Sequence, residues 1–144
     1  MTATPLPQGY ELVHSAPSVE DYLALRRQAG LTPKSRDQAA AGLPGGWAAR
    51  HVVHTATGET VGMGRVLSDG GWCFLVVDMA VLPAHQRRGL GDAVLGSLLE
   101  QIRDQAPAEA DVTLFADPPG RRLYARHGFT ETAPSSVGMS LRLR

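Results

Sequence analysis

The sequence predicts a single α/β domain built on a mixed, partly antiparallel sheet. Three observations lead there. The chain has 144 residues, a length that fits one domain, residues 1–144, and leaves no room for two ordinary ones. Short strand patterns, hairpin turns and helical patterns interleave along it instead of separating into all-β and all-α stretches. Near the middle, a nearly continuous apolar run over residues 72–82 feeds a two-glycine turn and then a helix with apolar residues at four-residue spacing. Such a run is the pattern of a central strand covered on both faces.

Each element has its own signal. Residues 10–14 read as a first strand. Ser18 then suits a helix N-cap, and Glu20 and Asp21 complement the positive helix end. That helix runs to about residue 29 and stops near Gly30. Residues 36–41 read as a short second helix closed by Gly42. Residues 47–55 and 59–67 are two strands joined by Ala-Thr-Gly, a hairpin-like connection. The turn 68–71 leads to the apolar strand 72–82, which Pro83 stops. Residues 89–106 form the best helix, with Leu90, Val94, Leu98 and Ile102 on one face and Pro107 after it. Residues 111–115 are a strand and residues 121–127 a short helix closed by Gly128. Residues 130–133 and 137–143 read as two final strands.

Composition removes several functional classes. The only cysteine is Cys73, so neither an internal disulfide nor a cysteine zinc site is available, and no metal is expected. The first residues lack the charge and apolar run of a signal peptide, and the longest apolar run is too short to span a bilayer. A cytoplasmic protein with no membrane partner is the expectation. Fourteen basic residues balance fourteen acidic ones, which argues against nucleic acid as a partner. Only Lys34 among the basic residues is a lysine. Codon bias accounts for such a skew, and so does a need for planar anion recognition.

The turn after the central strand reads Val81-Leu82-Pro83-Ala84-His85-Gln86-Arg87-Arg88-Gly89-Leu90-Gly91-Asp92. Gly89 and Gly91 permit positive φ and close backbone approach. The first N–H groups of the following helix lack intrahelical partners and lie at its positive end, where phosphate binds readily. A plain strand-to-helix turn explains the two glycines about equally well. The dinucleotide fingerprint fails because Val94 stands where a third small residue is needed, and the P-loop fails for want of its lysine. Downstream, Arg121-Arg122-Leu123-Tyr124-Ala125-Arg126-His127-Gly128-Phe129 is a short helix with a glycine cap. A tyrosine there is by itself more often packing than chemistry.

Taken together these segments resemble a known family. A strand followed by Gln86, Gly89 and Gly91 resembles motif A of the GNAT superfamily of acetyl-CoA-dependent N-acetyltransferases. Leu123-Tyr124 with Gly128-Phe129 is similar to its motif B. The resemblance covers nearly the whole chain. It implies a mostly antiparallel sheet of about six to seven strands flanked by about four helices. It implies that the backbone from Arg87 through Arg88, Gly89, Leu90 and Gly91 to Asp92 holds the CoA pyrophosphate, a role the helix end also suggests. It places the pantetheine arm along Met79, Ala80 and Val81, with the Val81 amide as oxyanion donor. Tyr124 corresponds to the family's general acid, and a phenol is protonated at neutral pH. Arg126, beside Tyr124, joins the cofactor set. Where many members carry an asparagine after the fifth strand, this chain has Asp117, as substitute or as helix cap.

Asp78 is the only charge inside the apolar strand. A buried carboxylate is costly unless paired. It is therefore a general base, an amine ligand, or the structural partner of Arg65 or of a backbone amide. His51 and His54, three apart on a strand, face opposite sides and are no metal pair. His85 and His127 read as exposed, Trp47 and Trp72 as core or near-core, and Cys73 as a buried small hydrophobe. Trp72 and Phe74 lining an acceptor pocket is the minority alternative.

The resemblance thus implies acetyl transfer from acetyl-CoA to a small-molecule or peptide amine. A CoA-binding sensor without chemistry is the alternative, and an RNA-directed acetyltransferase is disfavoured by the neutral charge. Sheet edges make a homodimer plausible. The acceptor is not legible in residues 15–46, which carry Arg26, Arg27, Lys34, Arg36 and Asp37 in no evident pattern.

Overall fold

The computed structural model describes residues 5–144. Five strands form one sheet in the order β1-β2-β3-β4-β5: β1 (Tyr10–Val13), β2 (Ala48–His54), β3 (Glu59–Ser68), β4 (Cys73–Val81) and β5 (Asp111–Thr113). The first four pair antiparallel, and β5 lies parallel to β4. Four helices accompany them: α1 (Val19–Gln28), α2 (Arg36–Gly42), α3 (Leu90–Gln105) and α4 (Arg121–Arg126). The mixed, mostly antiparallel sheet and the four helices match the expectation, but among the described residues the strand number is five and not six to seven.

The two missing strands are those expected at residues 130–133 and 137–143. Pro134 stands directly after the first of these and removes a ladder donor there. The Ser136 N–H donates to the Thr132 carbonyl at 3.0 Å, which folds the segment into a turn. The second has the alternation of a strand but no ladder partner.

Local chemistry explains the helices. Ser18 accepts from the Asp21 N–H at 3.1 Å and caps α1. Ser35 and Gln38 form a reciprocal capping box on α2. The sheet sits between layers, with α1 and α2 on one face and α3 on the other. On the α3 face, Gly64 meets Val94 and Leu98, and a Cβ there would come within 2.8 Å of Val94. Arg50, also on that face, is buried. Its guanidinium donates to Ser97 Oγ and Gln101 Oε1, both at 2.8 Å, which fixes α3 to β2. Phe74, Val52, Val61, Met63, Val66, Leu90, Leu95 and Leu98 are fully buried. No residue after Ile102 is.

Aromatic placement differs from expectation. Trp72 is 68% exposed and Cys73 is exposed as well, because both stand at the turn that opens β4. Trp47 packs edge-on against Phe74 with ring centroids 4.9 Å apart. Neither Trp72 nor Phe74 is among the residues lining the cavity described next.

Candidate functional site

The site begins with an irregularity in β4. Met63 pairs with Ala80 and Arg65 with Val77, so Asp78 and Met79 together oppose Gly64. This is a β-bulge, and Asp78 has φ of 61°. The bulge sends Asp78 to the α1 face and Met79 to the α3 face. β4 pairs with β5 only over Cys73–Leu75. Beyond Leu75 the two strands part, and the β4 backbone on that side has no ladder partner. A cavity of about 900 Å³ opens in the gap.

Most of the expected site residues line this cavity. Asp78, Met79, Ala80, Val81, Gln86, Arg87, Gly89, Leu90, Gly91, Asp92, Asp117, Tyr124 and Arg126 all do. Arg88 is the exception. Its guanidinium donates to the Tyr10 hydroxyl at 2.9 Å, so the side chain ties the turn to β1. Arg87 (φ 63°) and Gly89 (φ 83°) hold left-handed backbone, which turns the chain into α3 and leaves the first helical N–H groups on the cavity side.

Val81 is set by two contacts. The Leu82 N–H bonds to the Val61 carbonyl at 2.9 Å, so strand alternation points the Val81 backbone to the open side. There Gln86 Nε2 donates to the Val81 carbonyl at 3.0 Å.

Asp78 is paired on both oxygens. Arg26 Nη1 reaches Oδ1 at 2.5 Å and Arg65 Nε reaches Oδ2 at 2.8 Å, with all three side chains at or below 10% exposure. Arg26 also donates twice to the Thr32 carbonyl, and the Arg65 guanidinium lies 5.7 Å from the centre of the Tyr22 ring. Burial raises the Tyr22 hydroxyl pKa, and the Asp78 charge adds to the rise. Of the alternatives for Asp78, the structural partner of Arg65 is the one whose geometry is present. Arg26 was not expected at all. The available signal was its place four residues after Tyr22, on the face of α1 that packs inward.

Tyr124 stands on α4, half-buried against Phe129, with ring centroids 6.1 Å apart. Burial raises its pKa, and the Asp117 charge raises it further, so the hydroxyl keeps its proton at neutral pH. Gly120 leaves room for the ring: a Cβ there would sit 2.8 Å from Tyr124 Cε2. Asp117 contributes charge here, but its side chain makes no cap bond to the following turn.

Asp92 and Arg126 meet each other. Arg126 donates to one Asp92 oxygen at 2.9 Å and His127 lies 3.0 Å from the other, which pins the end of α4 to the start of α3. Partial burial pushes the Asp92 pKa up, but the bonds from Arg126 and His127 outweigh it and hold it below the ordinary value. Asp92 therefore contributes stability in full above its unfolded pKa of ~3.9, and loses it as pH falls through the lower folded value. Acid unfolding of wild type and Asp92→Asn, followed by circular dichroism, should show the wild type more stable at pH 6. The two curves should converge once the pH has fallen below the depressed folded value of Asp92.

His85 is half-buried and not exposed as expected. Its Nδ1 lies 2.7 Å from the Tyr10 hydroxyl, and its ring lies 4.9 Å from that of His54. Burial, His54 and Arg88 together lower its pKa.

Comparison with known proteins follows the same lines. The family model for the acetyltransferase (GNAT) domain matches residues 36–143. A crystal structure from methicillin-resistant Staphylococcus aureus, of a protein of unknown function described as a probable acetyltransferase, is 35% identical. It superposes with a TM-score of 0.88 over 93% of this chain and 99% of that one. An uncharacterized N-acetyltransferase from Pyropia yezoensis is 34% identical over 84 residues, 58% of this chain and 47% of the relative. The chain thus spans about half the length of the curated relatives it matches. Glucosamine-6-phosphate N-acetyltransferase from Arabidopsis thaliana shares the fold at 13% identity, with a TM-score of 0.71 over 94% of this chain and 99% of that one.

Proposed function

Because the chain belongs to the GNAT family of acetyltransferases, we propose that it transfers an acetyl group from acetyl-CoA to a primary amine by direct attack. The parting of β4 from β5 carries this reading. It sets an unpaired strand edge, a helix N-terminus and a protonated tyrosine around one cavity.

The residues suit the cosubstrate. The amides from Arg87 to Asp92 would hold its pyrophosphate, helped by the positive end of α3. The open edge at Met79, Ala80 and Val81 would take the amides of its arm, as a partner strand would. The Val81 N–H faces that edge and would donate to the thioester oxygen as charge builds on it. The amine nitrogen attacks the carbonyl carbon, the C–S bond breaks, and the Tyr124 hydroxyl gives its proton to the departing thiolate. The amine loses its own proton to water. Asp78, with both oxygens on guanidinium groups, holds the bulge and does not serve as base.

The double pairing of Asp78 also favours a second reading, a module that binds CoA and turns it over weakly. Acetyl-CoA hydrolysis and transfer against a panel of primary amines, with CoA release read by thiol titration, separates the two. Transfer to at least one amine class supports the enzyme. Saturable CoA binding without transfer to any amine supports the binding module.

A further inference from the structure

The turn between β4 and α3 reaches across the end of the sheet. It leaves β4 beside β3, where the Leu82 N–H bonds to the Val61 carbonyl at 2.9 Å. It then brings the His85 ring 4.9 Å from that of His54 on β2, and edge-on to Tyr10 of β1 with centroids 5.6 Å apart. β1 is the edge of the sheet opposite β5. There two side chains of the turn converge on one oxygen. Arg88 Nη1 lies 2.9 Å from the Tyr10 hydroxyl, and His85 Nδ1 lies 2.7 Å from it. A guanidinium can only donate, so the Tyr10 oxygen accepts from Arg88 and its own proton is assigned to His85 Nδ1. Between these two anchors stands Arg87, with φ of 63°. Left-handed backbone is unfavourable for a bulky side chain and persists only where its surroundings hold it. Gln86 ties one flank of Arg87 to β4, and Tyr10 ties both flanks to β1.

We propose that Tyr10 is a positioning residue for the cosubstrate: it clamps the turn through His85 and Arg88, so that the N–H groups from Arg87 to Asp92 face the pyrophosphate before it arrives, a placement that rests on reading this turn as the CoA site. Tyr10 does not line the cavity, so it acts through the turn and not by contact. Amides already held in place lose less freedom on binding. The clamp is complete only with His85 neutral. Protonation puts a hydrogen on Nδ1, where the Tyr10 proton points, and adds charge beside His54 and Arg88, with Glu59 as the opposing group. Burial, His54 and Arg88 favour the neutral ring. The clamp therefore holds at neutral pH and loosens as pH falls through the lowered His85 value.

Calorimetric titration with CoA of wild type and Tyr10→Phe, both shown folded by circular dichroism, tests this. At about pH 7.5 the variant should bind roughly 3–10-fold more weakly, as expected for losing one or two hydrogen bonds that steady the turn. The ratio of the two Kd values should shrink toward one as pH falls to about 5, because the wild type then loses the same clamp. Taking the ratio cancels the titration of CoA itself. Arg88→Met should also weaken binding, and the double variant should fall short of the product of the two single effects. Equal affinity of wild type and Tyr10→Phe overturns the clamp alone, as does a ratio that stays constant with pH. Single effects that multiply in the double variant would mean that Arg88 meets the phosphates on its own, and overturn it too. A wild type that does not bind CoA overturns the reading of the turn and the clamp with it.

Discussion

Tyr124→Phe should lower kcat by about 10²–10⁴-fold, the usual contribution of a positioned general acid, with the KM for acetyl-CoA little changed. The substitution removes one oxygen and leaves the ring against Phe129. Steady-state kinetics at saturating amine measures it, and a kcat within a few fold of wild type would remove Tyr124 from the mechanism. The shift in its pKa adds a second signature. Burial and Asp117 hold the proton on, so activity that rises as the amine deprotonates should not fall through loss of this acid below pH ~10. Gly120→Ala should imitate part of the defect, because the new methyl would displace the Tyr124 ring and not its chemistry.

Asp78→Ala should destabilise the protein by about 3–5 kcal/mol, the range for removing one partner of a buried ion pair. Here the loss leaves two guanidinium groups buried, Arg26 and Arg65, with Arg26 keeping only the Thr32 carbonyl. Urea unfolding measures the change through the midpoint. Against a typical total of 5–15 kcal/mol, a loss of that size puts the variant near its threshold. Asp78→Asn keeps the shape and should cost less while still breaking both charge pairs. A midpoint for Asp78→Ala within error of wild type would mean the pairs are not stabilising. If Asp78 were also the base, Asp78→Asn would abolish turnover at temperatures where the variant is still folded.

How much of this could be read from the sequence depended on how local the signal was. Ser18, Ser35, Gly30 and the turn at Gly89 mark helix ends through their own neighbours, and those ends fell within a residue or two. The cavity residues of the turn were legible for the same reason. Asp78 was legible as an oddity, but its partner Arg26 lies 52 positions away, and no local pattern records such a pairing. Arg88 shows the converse. Its neighbours place it at the glycine turn before α3, yet Tyr10, 78 positions earlier, takes its guanidinium. The two expected final strands failed for a further reason: alternation says which side of a strand is apolar, but not whether an edge is in reach to pair with it.

The core ends early in the chain. Ile102 is its last buried residue, and everything that follows, including Tyr124, is partly buried or exposed. Three ladder positions on β4, the Asp92 bridge and the partly buried side chains of Val112, Leu114, Leu123, Tyr124 and Phe129 hold that last stretch in place. Local unfolding follows the thinnest attachments. Residues 106–144 therefore form a low-stability unit that can open while the sheet from β1 to β4 and its α3 cover remain folded. Amide exchange in α4 would precede that in β2 and β3, and Tyr124 would ride on the part that opens.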